Sequence, residues 1–212
     1  MKIAVIGSGI SGLSAAWLLA NKHQVTVFEA NSYAGGHSNA VDVQLDGQQA
    51  AVDTGFLVFN EKTYPNFCRL MRELGVETQP SDMSFSYHDE RTGLQYAGTG
   101  LAGLFARRRQ LLDVRFLGMI GELLRFNAVT RRALERGGLA GRTLGEFVAE
   151  GRFSPNLAEW YLYPMVGAIW SAPLEGAARF PAESFARFFA NHGLLTLHDL
   201  PAWRTVAGGS QT

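Results

Sequence analysis

Apolar and polar positions follow several distinct rhythms along this chain. Lys2 to Ile6 (KIAVI) is a short apolar run, the pattern of a buried strand. Ile10 to Asn21 is apolar nearly all round a helical wheel, which predicts a helix buried on more than one side. Gln24 to Phe28 (QVTVF) is again short and β-branched, a second strand. With the Gly-rich turn Gly7 to Gly12 between the first strand and the helix, the order is βαβ, which implies a parallel sheet. Val41, Val43 and Leu45 then alternate with Asp42 and Gln44, and Gln48 to Val52 follows Asp46-Gly47. Asp-Gly between two strand-like runs predicts a hairpin, because both central positions of a type I′ turn need positive φ.

After Asn60 the texture becomes helical. Tyr64, Phe67, Leu70, Met71 and Leu74 recur at helical spacing between Thr63 and Leu74, with Pro65 in the first turn and Gly75 past the end. Ser84 to Tyr87 and Leu94 to Tyr96 form a candidate hairpin around Gly93, and Leu101 to Arg136 reads as two helices. Thr143 with Glu146 makes a capping box. Ser154-Pro155 opens another helix. Pro181 opens a further one, with Phe185, Phe188 and Phe189 on one face and His192-Gly193 as its stop. The predicted fold class is α/β: a Rossmann-like βαβ unit with a hairpin over 1–60, a mainly helical substrate or cap segment over 61–200, and the start of a return to the first domain over 201–212.

Composition adds exclusions more than identity. The 212 residues are 47% hydrophobic and 18% charged, which is globular composition. The N-terminus shows no cleavable signal, and no run of 18 apolar residues would span a membrane. Cys68 is the only cysteine, so no internal disulfide forms, in keeping with a cytoplasmic protein. Net charge is zero, and nothing in it points to nucleic acid. The charge is unevenly spread. Between Leu101 and Arg136, eight arginines face three acids, so that segment carries +5 and the rest of the chain −5.

The chemistry lies in Gly7-Ser8-Gly9-Ile10-Ser11-Gly12, which fits G-x-G-x-x-G at the end of a strand and the start of a helix. Gly7 permits the tight turn, Gly9 lets backbone approach a pyrophosphate, and Gly12 allows close packing of helix on strand. The helix N-terminus around Ile10 and Ser11 offers free N–H groups to phosphate. Glu29, with Ala30 and Asn31 after it, ends the second strand, where a carboxylate accepts bonds from an adenosine ribose. A second glycine pair, Gly35-Gly36-His37-Ser38, would bring another stretch of backbone to the pyrophosphate. Asp53-Thr54-Gly55-Phe56-Leu57 again places a glycine where backbone could run close to a flat ring. A turn glycine is the plainer reading of each piece alone; together and in this order they are more specific.

The first 60 residues resemble the amine oxidase, phytoene desaturase and protoporphyrinogen oxidase superfamily of FAD enzymes. His37 stands where that superfamily usually has an arginine. DTGFLVFN at 53–60, QPSDMSF at 79–85, YPMVGAIWSAP at 163–173, NHGLL at 191–195 and PAWRTVAGGS at 201–210 are similar to a bacterial group of FAD- or NAD(P)-binding oxidoreductases within it. That group is itself similar to the N-terminal part of some plant cyclopropane fatty acid synthases. The resemblance implies FAD as cofactor, hydride transfer from an apolar substrate such as a lipid, and cofactor contacts at the three glycine segments. It also implies a chain about twice this length ending in a Gly-Asp segment. No Gly-Asp dipeptide occurs here, so the sequence reads as an N-terminal fragment, inactive by itself.

Other residues are weaker candidates. Trp170 is the best candidate for lining a substrate channel, against a plain core role. His88, His192 and His198 lack partners at metal-ligand spacing, so no metal is expected. The Arg107 to Arg136 segment is a candidate contact with a membrane surface, peripheral to the inner membrane, against the plainer reading of a solvated helix face. No nucleophile–base pair is visible, and no catalytic side chain is assigned. Two alternatives stand beside the oxidoreductase: a flavin-dependent isomerase, and a non-catalytic nucleotide-binding module supporting a lipid-modifying enzyme.

Overall fold

The structure, a computed structural model, describes residues 1–196 and 200–211. The chain divides into two compact units, Met1–Met83 with Pro201–Thr212, and Ser84–Leu200. The architecture is α/β.

In the first unit, β1 (Lys2–Ile6) pairs in parallel with β2 (Gln24–Phe28), from Lys2 opposite Gln24 to Ile6 opposite Phe28, and α1 (Ile10–Ala20) connects them. β3 (Ala40–Leu45) and β4 (Gln48–Asp53) form the predicted hairpin, with Asp46 and Gly47 both at positive φ, 49° and 78°. Helix α2 (Pro65–Leu74) stops at Gly75, whose φ of 68° would strain any other residue. β5 (Thr78–Pro80) pairs antiparallel with Arg204–Val206, the last strand of the chain. The Arg204 guanidinium locks that pairing by donating to Thr78 Oγ1 at 2.9 Å and to the Thr78 carbonyl at 2.7 Å.

Three expectations change here. β1 was predicted to be buried, yet none of its residues is, and Ile6 is 80% exposed. Helix α1 was predicted to be buried on more than one side, yet only Ala16 is buried and Leu18 is 61% exposed. The reason is the same for both: among the described residues α1 rests on a two-stranded sheet, which covers one stripe of it. The division of the chain also falls at 83/84 rather than 60/61, because α2 packs its Phe67 against Phe56 (5.1 Å) and Phe59 (4.9 Å). Phe59, Cys68, Met71 and Val206 form the small core of this unit.

In the second unit, β6 (Ser86–Asp89) and β7 (Leu94–Ala97) form a hairpin, followed by α3 (Leu101–Leu104) and a 3-10 helix at Arg108–Leu112. The long α4 (Val114–Glu135) starts at Asp113, whose carboxylate caps it by accepting from the N–H groups of Arg115 (3.0 Å) and Phe116 (3.4 Å). The Thr143–Glu146 capping box opens α5 (Leu144–Glu150) with both reciprocal bonds made. The core around Phe116, Phe126, Leu144, Leu162, Phe185 and Phe189 is fully buried and largely aromatic.

One irregularity has a sequence cause. A single helical stretch runs through α6 (Pro155–Leu157), a π-turn (Ala158–Leu162) and α7 (Tyr163–Trp170). Pro164 has no N–H to give the Trp160 carbonyl four residues before it. The backbone widens there, so the Tyr163 N–H reaches back five residues to Ala158. The buried Tyr96 hydroxyl, from β7, donates to the released Trp160 carbonyl at 2.6 Å. After α7, Ser171 adopts a left-handed conformation (φ 50°), and Pro173 two residues on ends the helical path. Helix α8 (Ala182–Asn191) follows, and the last strand, β8, is Arg204–Val206.

Candidate functional site

The three glycine segments singled out in the sequence meet in the first unit. The turn out of β1 is closed by the Gly7 N–H donating to the Phe28 carbonyl of β2 at 2.7 Å. Gly7 itself sits at φ 90°, open only to glycine at low cost. A Cβ on Gly12 would lie 2.0 Å from the Gly7 carbonyl oxygen, so the third glycine of the motif is fixed by packing. A Cβ on Gly9 would meet nothing within 4 Å. Gly9 N-caps α1 without a side chain, and the first intrahelical bond is Leu13 N–H to the Gly9 carbonyl at 2.9 Å. The N–H groups of Ile10, Ser11 and Gly12 therefore lie outside the helical ladder. This is an open cradle of backbone donors at the positive end of a helix.

The second glycine pair lies against the first. The Gly35 N–H donates to the Ser8 carbonyl at 2.9 Å, and Gly9 and Gly35 form an isolated parallel bridge. A Cβ on Gly36 would come within 3.1 Å of the Gly9 Cα. Ser38 closes this turn, its N–H donating to the Gly35 carbonyl at 3.1 Å. The third segment joins through His37, whose carbonyl accepts from the Phe56 N–H at 3.3 Å. A Cβ on Gly55 would lie 2.1 Å from that oxygen. Thr54 is tied to Asn39, whose Nδ2 donates to Thr54 Oγ1 at 2.7 Å. The Leu57 carbonyl accepts from the Thr205 hydroxyl at 2.8 Å. The Phe56 ring packs with Phe59, Tyr64 and Phe67, and its backbone N–H meets the glycine segments at the His37 carbonyl.

Glu29 ends β2 beside this cradle, held from both sides. Its Oε2 accepts from the Ser8 N–H (2.8 Å) and the Ser8 hydroxyl (2.6 Å); its Oε1 accepts from the Asn31 N–H (2.9 Å) and Asn31 Nδ2 (3.0 Å). These bonds, the Ser8 hydroxyl first, lower its pKa to about 2. The Ala30 backbone N–H lowers it further, as the smallest contribution. Sequence reasoning named Glu29 and Asn31 and passed over Ser8. The available signal was a hydroxyl residue at the first variable place of the glycine motif, where the turn faces the end of β2. Ser210 was missed as well: its N–H donates to Asp53 at 2.6 Å, tying the end of the chain to the Asp-Thr-Gly segment. An apolar cavity of about 400 Å³, lined by Ile10, Leu13 and Trp17 of α1 and Phe67, Leu70 and Leu74 of α2, lies within the same unit.

The second unit holds the remaining candidates. Trp170 packs its ring against Phe180 (4.4 Å) and Phe188 (5.0 Å) on the flank of the aromatic core. His192 stacks on Phe188 at 3.7 Å with its Nδ1 on the Phe188 carbonyl, and burial pushes its pKa down. His88 sits in β6 opposite Gln95, and His198 lies outside the described residues. Among the described residues no three His, Cys, Asp or Glu side chains gather as a metal site would need. No described helix is long and apolar enough to cross a membrane.

The cradle fits a dinucleotide: open at Gly9, lined by free N–H groups, with a carboxylate one strand away. Comparison with known proteins agrees. The 1-hydroxycarotenoid 3,4-desaturase of Flavobacterium sp. (strain P99-3) is 36% identical over 96 residues, 45% of this chain and 18% of the desaturase. Cyclohexylamine oxidase from Brevibacterium oxydans IH-35A has the same fold at 19% identity and a TM-score of 0.68, over 99% of this chain and 47% of the oxidase. A fatty acid isomerase from P. acnes that produces CLA matches at 17% identity and a TM-score of 0.57, over 98% and 47%. The chain thus spans about half the length of the solved structures it matches. Residues 10–197 match the model of the flavin containing amine oxidoreductases, and the chain belongs to that family, with FAD as its cofactor.

Proposed function

We propose that the protein is an FAD-dependent oxidoreductase that removes hydride from a C–H bond of an apolar substrate, a lipid or polyene. The convergence of the three glycine segments on one backbone cradle is the observation that carries this reading. Bound FAD would supply the hydride acceptor, and this chain would supply position and electrostatics. Gly7, Gly9, Ile10, Ser11 and Gly12 would hold the pyrophosphate through backbone N–H groups. Glu29, positioned by Ser8 and Asn31, would accept from the adenosine ribose hydroxyls, and its fixed charge would repel a 2′-phosphate. Gly35, Gly36, His37 and Ser38 would close on the pyrophosphate from the second side. Thr54, Gly55, Phe56 and Leu57 would present backbone to the flavin ring. Trp170 is proposed to border the substrate's path from its place on the edge of the aromatic core. Removal of hydride leaves the substrate carbon electron-poor, and the neighbouring C–H then gives up its proton to water or a base as the double bond forms; no side chain of this chain is assigned as that base.

The apolar substrate class rests on the desaturase relative. The fatty acid isomerase neighbour supports a second reading, in which hydride leaves and returns with no net oxidation. One experiment separates them. The complete flavoprotein is mixed anaerobically with carotenoid precursors and unsaturated fatty acids. The oxidoreductase reading expects loss of oxidised-flavin absorbance and a product lighter by two hydrogens. A product of unchanged mass with a displaced double bond supports the isomerase. Flavin that stays oxidised with every apolar substrate, together with no product of either kind, refutes both and leaves the supporting module.

A further inference from the structure

We infer that the face formed by α3, the 3-10 helix at Arg108–Leu112 and the first half of α4 docks on an anionic lipid surface. Scattered exposed leucines need no explanation, but here they recur within one short stretch of chain, 101–124. Leu101, Leu112 and Val114 are 77%, 86% and 79% exposed, and Leu111, Leu117 and Leu124 are exposed too. The geometry of the elements puts them together. In a 3-10 helix residues three apart eclipse, so Arg108 stands over Leu111 and Arg109 over Leu112. The third column, Gln110, is buried and turned inward. On α4 the outward residues Val114, Leu117, Gly121 and Leu124 follow at spacings of three and four, one stripe along the helix. A Cβ on Gly118 or Gly121 would touch nothing, so this stripe is smooth as well as apolar. The opposite side of α4 buries Phe116, Met119 and Phe126 in the core, which makes the helix apolar on both sides over its first three turns.

The charge around the stripe selects the partner. Three acids lie between Leu101 and Arg136, and two are turned onto the protein. Asp113 caps α4, and Glu122 accepts from the Ser154 N–H at 3.0 Å and from the Ser154 hydroxyl. Only Glu135, at the far end of α4, remains exposed. Some of the arginines also have internal work. Arg107 and Arg109 both grip the Gly93 carbonyl, and Arg125 donates to the carbonyls of Gly151 and Arg152. Arg108, Arg131, Arg132 and Arg136 are exposed, as is Arg109. Along 101–124 the stripe is flanked by arginines and carries no exposed carboxylate of its own, and Glu90, exposed in the neighbouring β6–β7 turn, lies beside Arg107 and Arg109 at Gly93; the stripe complements a bilayer with anionic headgroups, leucines among the acyl chains and arginines at the phosphates. The assignment stands on the second unit alone and is independent of the FAD reading.

The test is flotation of the complete protein with vesicles of phosphatidylcholine alone or mixed with phosphatidylglycerol, at low and high salt. Binding to the mixed vesicles that weakens with salt is expected. Leu112→Glu should reduce it about tenfold or more and Arg108→Gln about fivefold. FAD content and melting temperature should be unchanged, because both side chains are exposed. Any of four results overturns the inference: no binding at low salt, equal binding to both vesicles, full binding by Leu112→Glu, or a wild-type dimer that Leu112→Glu dissociates. The last would mean that a second copy covers the stripe. Full binding by Leu112→Glu would mean that another part of the protein already covers it.

Discussion

Gly9 and Gly12 lie three residues apart in one motif, yet the structure gives them different tasks, and alanine separates these. At Gly12 the new Cβ would lie 2.0 Å from the Gly7 carbonyl oxygen, 3.1 Å from its carbon and 3.4 Å from Val5 Cγ1. The obstacle is backbone, so no rotamer change relieves it. Overpacking of this kind costs about 3 kcal/mol at the upper end, and alanine in a helix returns about 1 kcal/mol, a net loss of about 2 kcal/mol. For a chain of this size that lowers Tm by about 4–8 °C. At Gly9 the Cβ meets nothing, and the backbone (φ −69°, ψ 172°) suits alanine. Only the modest N-cap preference is lost, below about 1 kcal/mol. The methyl group nevertheless projects into the space where the pyrophosphate would approach. Gly9→Ala should therefore melt near the wild type without FAD and bind FAD at least tenfold more weakly, whereas Gly12→Ala should lose stability first. The assays are thermal melts of FAD-stripped protein and fluorescence titration with FAD. Wild-type FAD affinity in Gly9→Ala would refute the assignment of the cradle, and a wild-type melt of Gly12→Ala would refute the packing argument.

The Ser8 clamp on Glu29 should be visible by NMR as a carboxyl midpoint near pH 2, rising toward the ordinary value of 4.5 in Ser8→Ala. Because the folded pKa is lowered, the stabilisation from this carboxylate is complete above about pH 4.5 and fades as pH falls toward 2; a midpoint unmoved by Ser8→Ala contradicts the clamp. Tyr96→Phe should destabilise by about 1–3 kcal/mol by leaving the buried Trp160 carbonyl without its donor. Pro164→Ala in that background should recover part of the loss, since its N–H can serve the same carbonyl; strictly additive denaturation energies would contradict the coupling. Asp113→Ala should cost about 1 kcal/mol in urea denaturation through loss of the α4 cap, and Asp113→Asn should retain most of it.

Much of the local structure was legible because its signals are short-range. The Asp46-Gly47 turn, the Thr143–Glu146 box and the Gly75 stop each depend on residues within a few positions of one another, and each is found. What escaped depends on distant partners. The burial of α1 could not be read from its own apolar residues, because burial is set by how many strands and helices cover it. The π-turn at Ala158–Leu162 has a local cause in Pro164, but its tolerance depends on Tyr96, some 64 residues earlier, meeting the freed carbonyl. In the site, the glycines were legible as backbone requirements, whereas Ser8 was not: its partner Glu29 is 21 residues away, and only the parallel pairing of β1 with β2 brings them together. Trp170 was singled out by its neighbours in sequence, and its contacts with Phe180 and Phe188 come from the chain's turn after Ser171.

The most direct test of the central claim is to identify the nucleotide released by heat from the purified complete protein. FAD in the supernatant, lost when Gly9 is replaced by alanine, is the predicted result. Release of NAD or NADP, or FAD retained undiminished by the Gly9→Ala protein, would contradict it.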